Sequence, residues 1–274
     1  MFEHRLLREH NYALLDPTGR EAIPEDLATL PLLPSDMAED SEHLLPRLIP
    51  LHPLSHDQRG ALLDIMESLK SGVSPPLCAL LDSEAESSRL ALHLKEVQVL
   101  KSYRGTAVDK TWLRVHDPRV FIHLHRILPG EDHSGLFGPV SRWTIPFNGE
   151  WHSFARSDSG ATSPYPRQRW PRARIADIGI INSVLSRLGV AHYRDAMAVS
   201  PDIETQIGRA RTSHGLDDTE DLVEFASLTL SVARHFDQHP KIQPLIRDPQ
   251  DGEGSRLADR LARVDRAVWQ TLNV

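Results

Sequence analysis

The chain of 274 residues is long enough for one large or two small buried cores, and its 40% apolar and 25% charged content excludes wholesale disorder. Its 31 Lys and Arg against 38 Asp and Glu give a formal net charge of −7, which argues against a nucleic-acid backbone or an anionic membrane as main partner. The single cysteine, Cys78, excludes a disulfide framework within the chain and fits a reducing compartment. No apolar stretch of signal-peptide length opens the sequence, and none approaches the roughly 20 apolar residues of a membrane span, so the expected location is cytoplasmic.

In chain order, Tyr12 to Asp16 is a short apolar run stopped by Pro17-Thr18-Gly19, which predicts a buried strand entering a turn. Residues 17 to 53, rich in proline and acid, predict a loop with short helical pieces and an apolar segment from Leu44 to Leu51 interrupted by Pro46 and Pro50. Ser55 with Gln58 is a capping-box pattern, and Leu62, Met66 and Leu69 continue it at helical spacing towards Gly72. Residues 77 to 82 predict a central strand. Ser83 with Glu86 predicts a second capping box, opening a helix with Leu90, Leu94, Val97 and Leu100 on one face.

Trp112 to His116 alternates like a half-buried strand, after which Asp117 and Pro118 predict a helix start: a carboxylate cap, then proline at the first helical position. Phe121, Leu124 and Leu128 mark the buried stripe of that helix. Residues 137 to 154 predict one or two strands around Trp143, Phe147 and Trp151. Strand and helix thus alternate in the first part, which points to a mixed α/β (α+β) layer structure for residues 1–154.

Composition changes near residue 155. Residues 156–174 hold five arginines, three prolines, Tyr165 and Trp170, with Asp158 as the only counter-charge, and 155–174 is expected to be a linker. Beyond it the pattern is helical. Ile178, Ile181, Leu185 and Leu188 share a face, Asp218 to Phe236 is apolar nearly all round, and Leu257, Leu261, Val264, Val268 and Leu272 form a last stripe. Residues 175–274 are therefore expected to be all-helical.

Specific catalytic motifs are absent from the sequence: no G-x-S-x-G elbow, phosphate-binding P-loop, G-x-G-x-x-G or H-E-x-x-H. Among the 15 histidines, His123-Leu124-His125 with Asp132-His133 is similar to the H-x-H-x-D-H signature of metallo-β-lactamase-like hydrolases, but six residues separate its two halves. On a helix the first pair would also point about 200° apart. Solvated or capping histidines are the plainer reading. Asp36 and Glu39 lie in an acidic loop and read as solvated charges. Cys78, among apolar neighbours, reads as a buried structural thiol rather than a nucleophile.

Arg114, Asp117 and Arg119 are the stronger constellation, because a strand ending beside a helix cap can hold bidentate Arg–carboxylate bonds. They either cap the helix and tie the strand to a loop, or contact a partner. The basic linker is either a flexible connector or a docking segment, since arginine and aromatic residues are enriched in binding hot spots.

Five landmarks in order resemble a known family. They are Tyr12-Ala13-Leu14-Leu15-Asp16-Pro17, Leu45-Pro46-Arg47-Leu48, Leu81-Asp82-Ser83 followed by the helix through His93-Leu94, Arg114 to Val120, and Phe137-Gly138-Pro139-Val140-x-x-Trp143. The match spans roughly residues 11–145 and resembles the type VI secretion effector adaptor or chaperone family (Tap/TEC-like, first catalogued as a domain of unknown function). The family's Arg-x-x-Asp-Pro-Arg pattern maps onto Arg114, Asp117, Pro118 and Arg119, while His116 stands where an aromatic residue is expected. The resemblance implies a protein that is no enzyme and needs no cofactor or metal, and that binds a cognate type VI effector and hands it to the VgrG spike protein. It also suggests that residues 175–274 contribute effector specificity. Candidate partner-binding residues are Arg114, Asp117, Arg119, Trp143, Arg167, Arg169 and Trp170. The alternatives are a metal-dependent hydrolase using His123, His125 and His133, and a small-molecule sensor.

Overall fold

A computed structural model describes residues 2–16, 24–34, 39–67, 76–104, 107–128, 132–156, 170–247 and 256–272. The chain divides into two units, Met1–Arg172 and Ala173–Val274, with the boundary inside the basic segment.

The first unit is a mixed α/β structure. Its strands are β1 (Tyr12–Leu15), β2 (Leu30–Pro31), β3 (Arg47–Pro50), β4 (Leu77–Asp82), β5 (Val99–Arg104), β6 (Ala107–Trp112), β7 (Arg142–Phe147) and β8 (Glu150–Ala155). Six form one antiparallel sheet in the order β2-β3-β1-β4-β7-β8, while β5 and β6 pair as a separate hairpin. The helices of this unit are α1 (Phe2–Glu9), α2 (His56–Glu67), α3 (Ser87–Val97), α4 (Pro118–Ile127) and α5 (His133–Phe137).

All four residues of β1 are buried, because both faces of the sheet carry apolar cover. On one face Ala13, Leu15, Ile49 and Leu80 meet Leu6 and Leu7 of α1 and Leu62, Leu63, Ile65 and Met66 of α2 in a single cluster. On the other, Trp143 of β7 and its cross-strand partner Phe154 of β8 meet Phe121 of α4. The Phe121 ring stacks on Trp143 at 4.6 Å between centroids and meets Phe154 edge-on at 5.5 Å. Alternation of side chains along the strands is what sends these two sets to opposite faces.

Several expectations hold at the level of single bonds. The Ser55 capping box forms reciprocally: Ser55 N–H donates to Gln58 Oε1 at 3.0 Å, and Gln58 N–H to Ser55 Oγ at 3.2 Å. Asp117 caps α4, with Pro118 at its first turn. Of the one or two strands expected in 137–154 there are two, β7 and β8, beginning only at Arg142 because Phe137 ends α5, and Asn148-Gly149 makes the turn between them with φ of 47° and 86°. Two successive positive φ values are the requirement of the two-residue hairpin turn that matches strand twist.

Others are corrected. The Ser83 capping box does not form. α3 begins at Ser87 with Glu86 before it and no side-chain cap, since the Ser83 hydroxyl accepts from Ala85 N–H at 3.2 Å and donates to the Pro139 carbonyl at 2.9 Å. α3 ends at Val97, and Leu100 lies in β5. The strand expected at 112–116 lies earlier, ending at Trp112, and Leu113 to Asp117 form a turn closed by Val115 N–H to Leu113 O at 2.8 Å. β3 sits inside the segment that two prolines were expected to interrupt; Pro46 precedes the strand and Pro50 is its last residue, so neither removes a donor from its middle. Gly72 lies outside the described residues.

In the second unit every regular element among the described residues is helical: α7 (Ile178–Arg187), α8 (Tyr193–His214), α9 (Thr219–Ser231), α10 (Gln243–Arg247), α11 (Leu257–Leu261) and α12 (Arg266–Leu272), preceded by α6 (Arg172–Ala176) across the boundary. The long run expected from Asp218 stops at Ser231, and Phe236 begins a short 3-10 turn, with no glycine or proline in the sequence to announce the break. The final stripe is split in two because Asp265 accepts the Ala267 N–H at 2.8 Å and starts a new helix. No helix among the described residues is long and apolar enough to cross a membrane.

Candidate functional site

Arg114 lies in the turn between β6 and α4, where Asp117 N–H donates to its carbonyl at 2.9 Å. The neighbours Val115 and His116 are buried, so the stem of Arg114 leaves the surface from a fixed backbone. Asp117 Oδ1 accepts from Arg119 N–H at 2.9 Å, which is the helix cap, and from Arg119 Nε at 3.1 Å; its Oδ2 accepts from Arg119 Nη2 at 2.9 Å. Arg119 and Asp117 are thus joined by a two-toothed ion pair. Arg114 Nη2 stands 3.9 Å from the same Asp117 Oδ2 and donates to Asp16 Oδ2 at 3.4 Å.

Asp16 comes from the end of β1, where its N–H is tied to the Pro76 carbonyl at 2.7 Å, and it places the second carboxylate of the node. His116 Nε2 lies 3.8 Å from Asp16 Oδ2. Both aspartates are 4% exposed, whereas Arg114 and Arg119 are 48% and 54% exposed. Acceptors therefore face inward and donors outward.

The electrostatics follow from this layering. Burial alone would raise the Asp117 pKa, but the hydrogen bonds and charge of Arg119, with Arg114 behind them, hold it below the usual carboxylate range. The hydrogen bond to Asp117 in turn raises the Arg119 pKa. Burial pushes His116 down to about 4 against the opposing pull of Asp16, so this imidazole is neutral at pH 7 and adds no charge.

A second set of landmark residues interlocks nearby in the sheet. Tyr12 Oη donates to the Ala85 carbonyl at 2.7 Å, Ser83 N–H donates to Asn11 Oδ1 at 3.1 Å, and His93 Nε2 lies 3.2 Å from the Leu136 carbonyl oxygen. Gly138 has φ +53°, and a Cβ there would fall 2.3 Å from the His93 ring. Only glycine accommodates both the left-handed backbone and that close approach.

Comparison with family models, curated proteins and solved structures finds no match. The site is therefore read from its own geometry.

The remaining candidates fall in different places. Trp143 is fully buried under Phe121 and has no surface to offer a partner. Trp170 is 3% exposed, and its indole N–H is buried without a hydrogen-bond partner among the described residues. Arg167 and Arg169, like Asp36, lie outside the described residues. Cys78 is buried, its Sγ donates to the Leu14 carbonyl at 3.3 Å, and burial pushes its thiol well up.

His123 is fully buried on α4, while the rings of His125 and His133 stack at 4.6 Å. Stacked rings set their nitrogens side by side rather than converging them on one point. Burial, and then the neighbouring His133, takes His125 down to about 4. Among the described residues no group of three or more His, Cys, Asp or Glu side chains is arranged to hold a metal ion.

Sequence reasoning missed the role of Asp16. Its signals were its position at the end of the first apolar run and its place in the first landmark, and neither points to Arg114, 98 residues away in the chain. No local pattern connects residues so far apart.

Proposed function

We propose that the chain is a non-enzymatic adaptor that binds a type VI secretion effector in the cytoplasm and helps load it onto the VgrG spike protein. The reading starts from the five ordered landmarks, and one structural observation carries it further. Residues drawn from four of them, Asp16, Ser83 with His93, Arg114 with Asp117 and Arg119, and Gly138 with Pro139, bond to each other or to one another's neighbours across the first unit. The same residues that make the resemblance thus make a shared framework, and the outward arginines supply a polar contact surface on it. Candidate contacts are Arg114 and Arg119 on this framework, with Asp117 positioning Arg119, and Arg167 and Arg169 from the basic segment; Trp170, like Trp143, is buried.

The test is an affinity pull-down of the tagged full chain from its native cytosol, read by mass spectrometry. The adaptor reading expects a spike protein together with one large toxin-like chain. Recovery of neither, in cells actively secreting, overturns it.

A further inference from the structure

The six-stranded sheet ends differently at its two edges. β2 closes one edge with two residues, the second of which, Pro31, has no N–H to offer. β8 closes the other with six residues, Glu150–Ala155, paired to β7 in unbroken register and containing no proline or lysine. Short length, proline, lysine and bulges are the usual protection of an edge strand, and β8 has none of them.

The direction of its backbone groups is fixed by the pairing. Arg156 N–H donates to the Ser141 carbonyl at 2.8 Å, which makes Ser141 and Arg156 a hydrogen-bonded pair of the ladder. Such pairs alternate, so Phe154, His152 and Glu150 turn their N–H and C=O to β7, while Trp151, Ser153 and Ala155 turn theirs outward. The two-residue turn at Asn148-Gly149, closed by the Phe147–Glu150 pair, gives the same alternation. Ser153 and Ala155 are exposed, and among the described residues no backbone group takes up the outward N–H or C=O of these three.

A strand of this kind is completed by another strand, and its own side chains select which. In antiparallel self-pairing centred on Ser153, Ser153 faces Ser153 of the second copy and Trp151 faces Ala155, so outward groups oppose outward groups and exchange two bonds per pair. The same register sets Glu150 opposite Arg156 of the second copy, twice by symmetry, at the non-hydrogen-bonded positions where side chains lie closest. Shifting the centre to His152 sets Glu150 against the buried Phe154, and shifting it to Phe154 carries Glu150 past the end of the second strand. Glu150 is 64% exposed, and burial keeps its neighbour His152, 3.7 Å away, neutral, so the carboxylate charge is not offset within the strand. Arg156 is exposed and spends Nη1 on the Gly138 carbonyl at 3.0 Å, a contact that leaves its positive charge unneutralised.

We infer that β8 is a dimerisation edge, pairing antiparallel about Ser153 with β8 of a second copy of this chain to join the two six-stranded sheets into one. An isologous two-fold contact is the commonest way for a chain to associate with itself. A pair of six-residue edges is smaller than the roughly 1,200 Å² of a standard interface, so Kd should be on the order of 100 µM. The inference stands apart from the adaptor reading.

The test is sedimentation velocity of the full chain over a concentration series spanning that value. A monomer–dimer equilibrium is expected. Ala155→Pro removes an outward donor and none that pairs with β7, and it should leave the chain monomeric with its circular dichroism unchanged. Glu150→Arg and Arg156→Glu each turn both facing pairs repulsive and should weaken the dimer about tenfold, and the two together should restore it. A chain monomeric throughout the series overturns the inference, as does a dimer that survives Ala155→Pro or a doubly substituted chain that stays monomeric. A chain that is monomeric alone and pairs through β8 only with cargo from the pull-down gives the edge to the cargo, and overturns the inference equally.

Discussion

Both units bury carboxylates and pair them with arginine, and the pairs at Asp237 and Asp221 differ from those at Asp16 and Asp117 in how far the arginine is covered. In the helical unit Asp237 accepts from Arg209 at 3.0 Å and bonds His214 at 2.9 Å, and Asp221 accepts the Leu257 N–H at 2.7 Å beside Arg260 at 3.5 Å. Arg209 and Arg260 are 23% and 7% exposed, and they tie α8 to the 3-10 turn and α9 to α11. In the α/β unit the carboxylates are as deep, yet Arg114 and Arg119 stay about half exposed. An ion pair closed on both sides is a tie between elements, and removing one partner strands a buried charge. An ion pair whose arginine stays about half exposed is a prop, because the guanidinium keeps much of its hydration.

The largest effect is expected where the tie is closed. Asp237→Ala removes the carboxylate that His214 and Arg209 share, leaving Arg209 its bond to the Arg234 carbonyl, and should cost about 3–5 kcal/mol, read as a fall in the urea midpoint of the helical unit. A loss below about 1 kcal/mol would erase the distinction between tie and prop.

Acid should act on the α/β unit next. His116 and His125 titrate at about 4 in the fold, against 6.5 for an ordinary histidine. Between those values the unfolded chain binds protons that the folded chain does not, so stability falls as pH falls through that window. Each shift of this size is worth at most about 3 kcal/mol. Urea midpoints from about pH 7 to about pH 4.5 should drop, and less steeply in His125→Phe; equal slopes would remove His125 from the account.

Asp117→Ala loses the α4 cap and the two side-chain bonds to Arg119, with an expected cost of about 1–2 kcal/mol. The arginine left behind is exposed and rehydrates, which is why the figure stays below that for Asp237. Arg114→Gln should be the mildest, below about 0.5 kcal/mol by urea titration, because it removes one long surface-facing bond. A larger destabilisation would make Arg114 a structural tie after all.

What the sequence disclosed follows the range of the interaction. The Ser55–Gln58 capping box, the Asp117-Pro118 helix start and the buried runs at Tyr12 and Leu77 are set within a few residues, and each appears as read. Ser83 shows where such reading fails: the same pattern was present, but a carbonyl 56 residues away took its hydroxyl. Pro46 and Pro50 hid β3, whose place is set by pairing with β1. α8, the longest helix at 22 residues, carries Pro201 and a weak apolar stripe, and its burial comes from α7 and α9 rather than from its own periodicity. At the site, Asp117 with Arg119 was legible because they lie two positions apart, and Asp16 was not because its partner is set by the sheet.

The most direct test of the central claim is secretion itself. In the native cells the gene for this chain is deleted, and the culture medium is assayed for both the VgrG spike protein and the toxin recovered by pull-down. The account predicts that the spike protein is still released while the toxin stays inside, and that wild-type chain restores its export. Undiminished export of the toxin without the chain would contradict it.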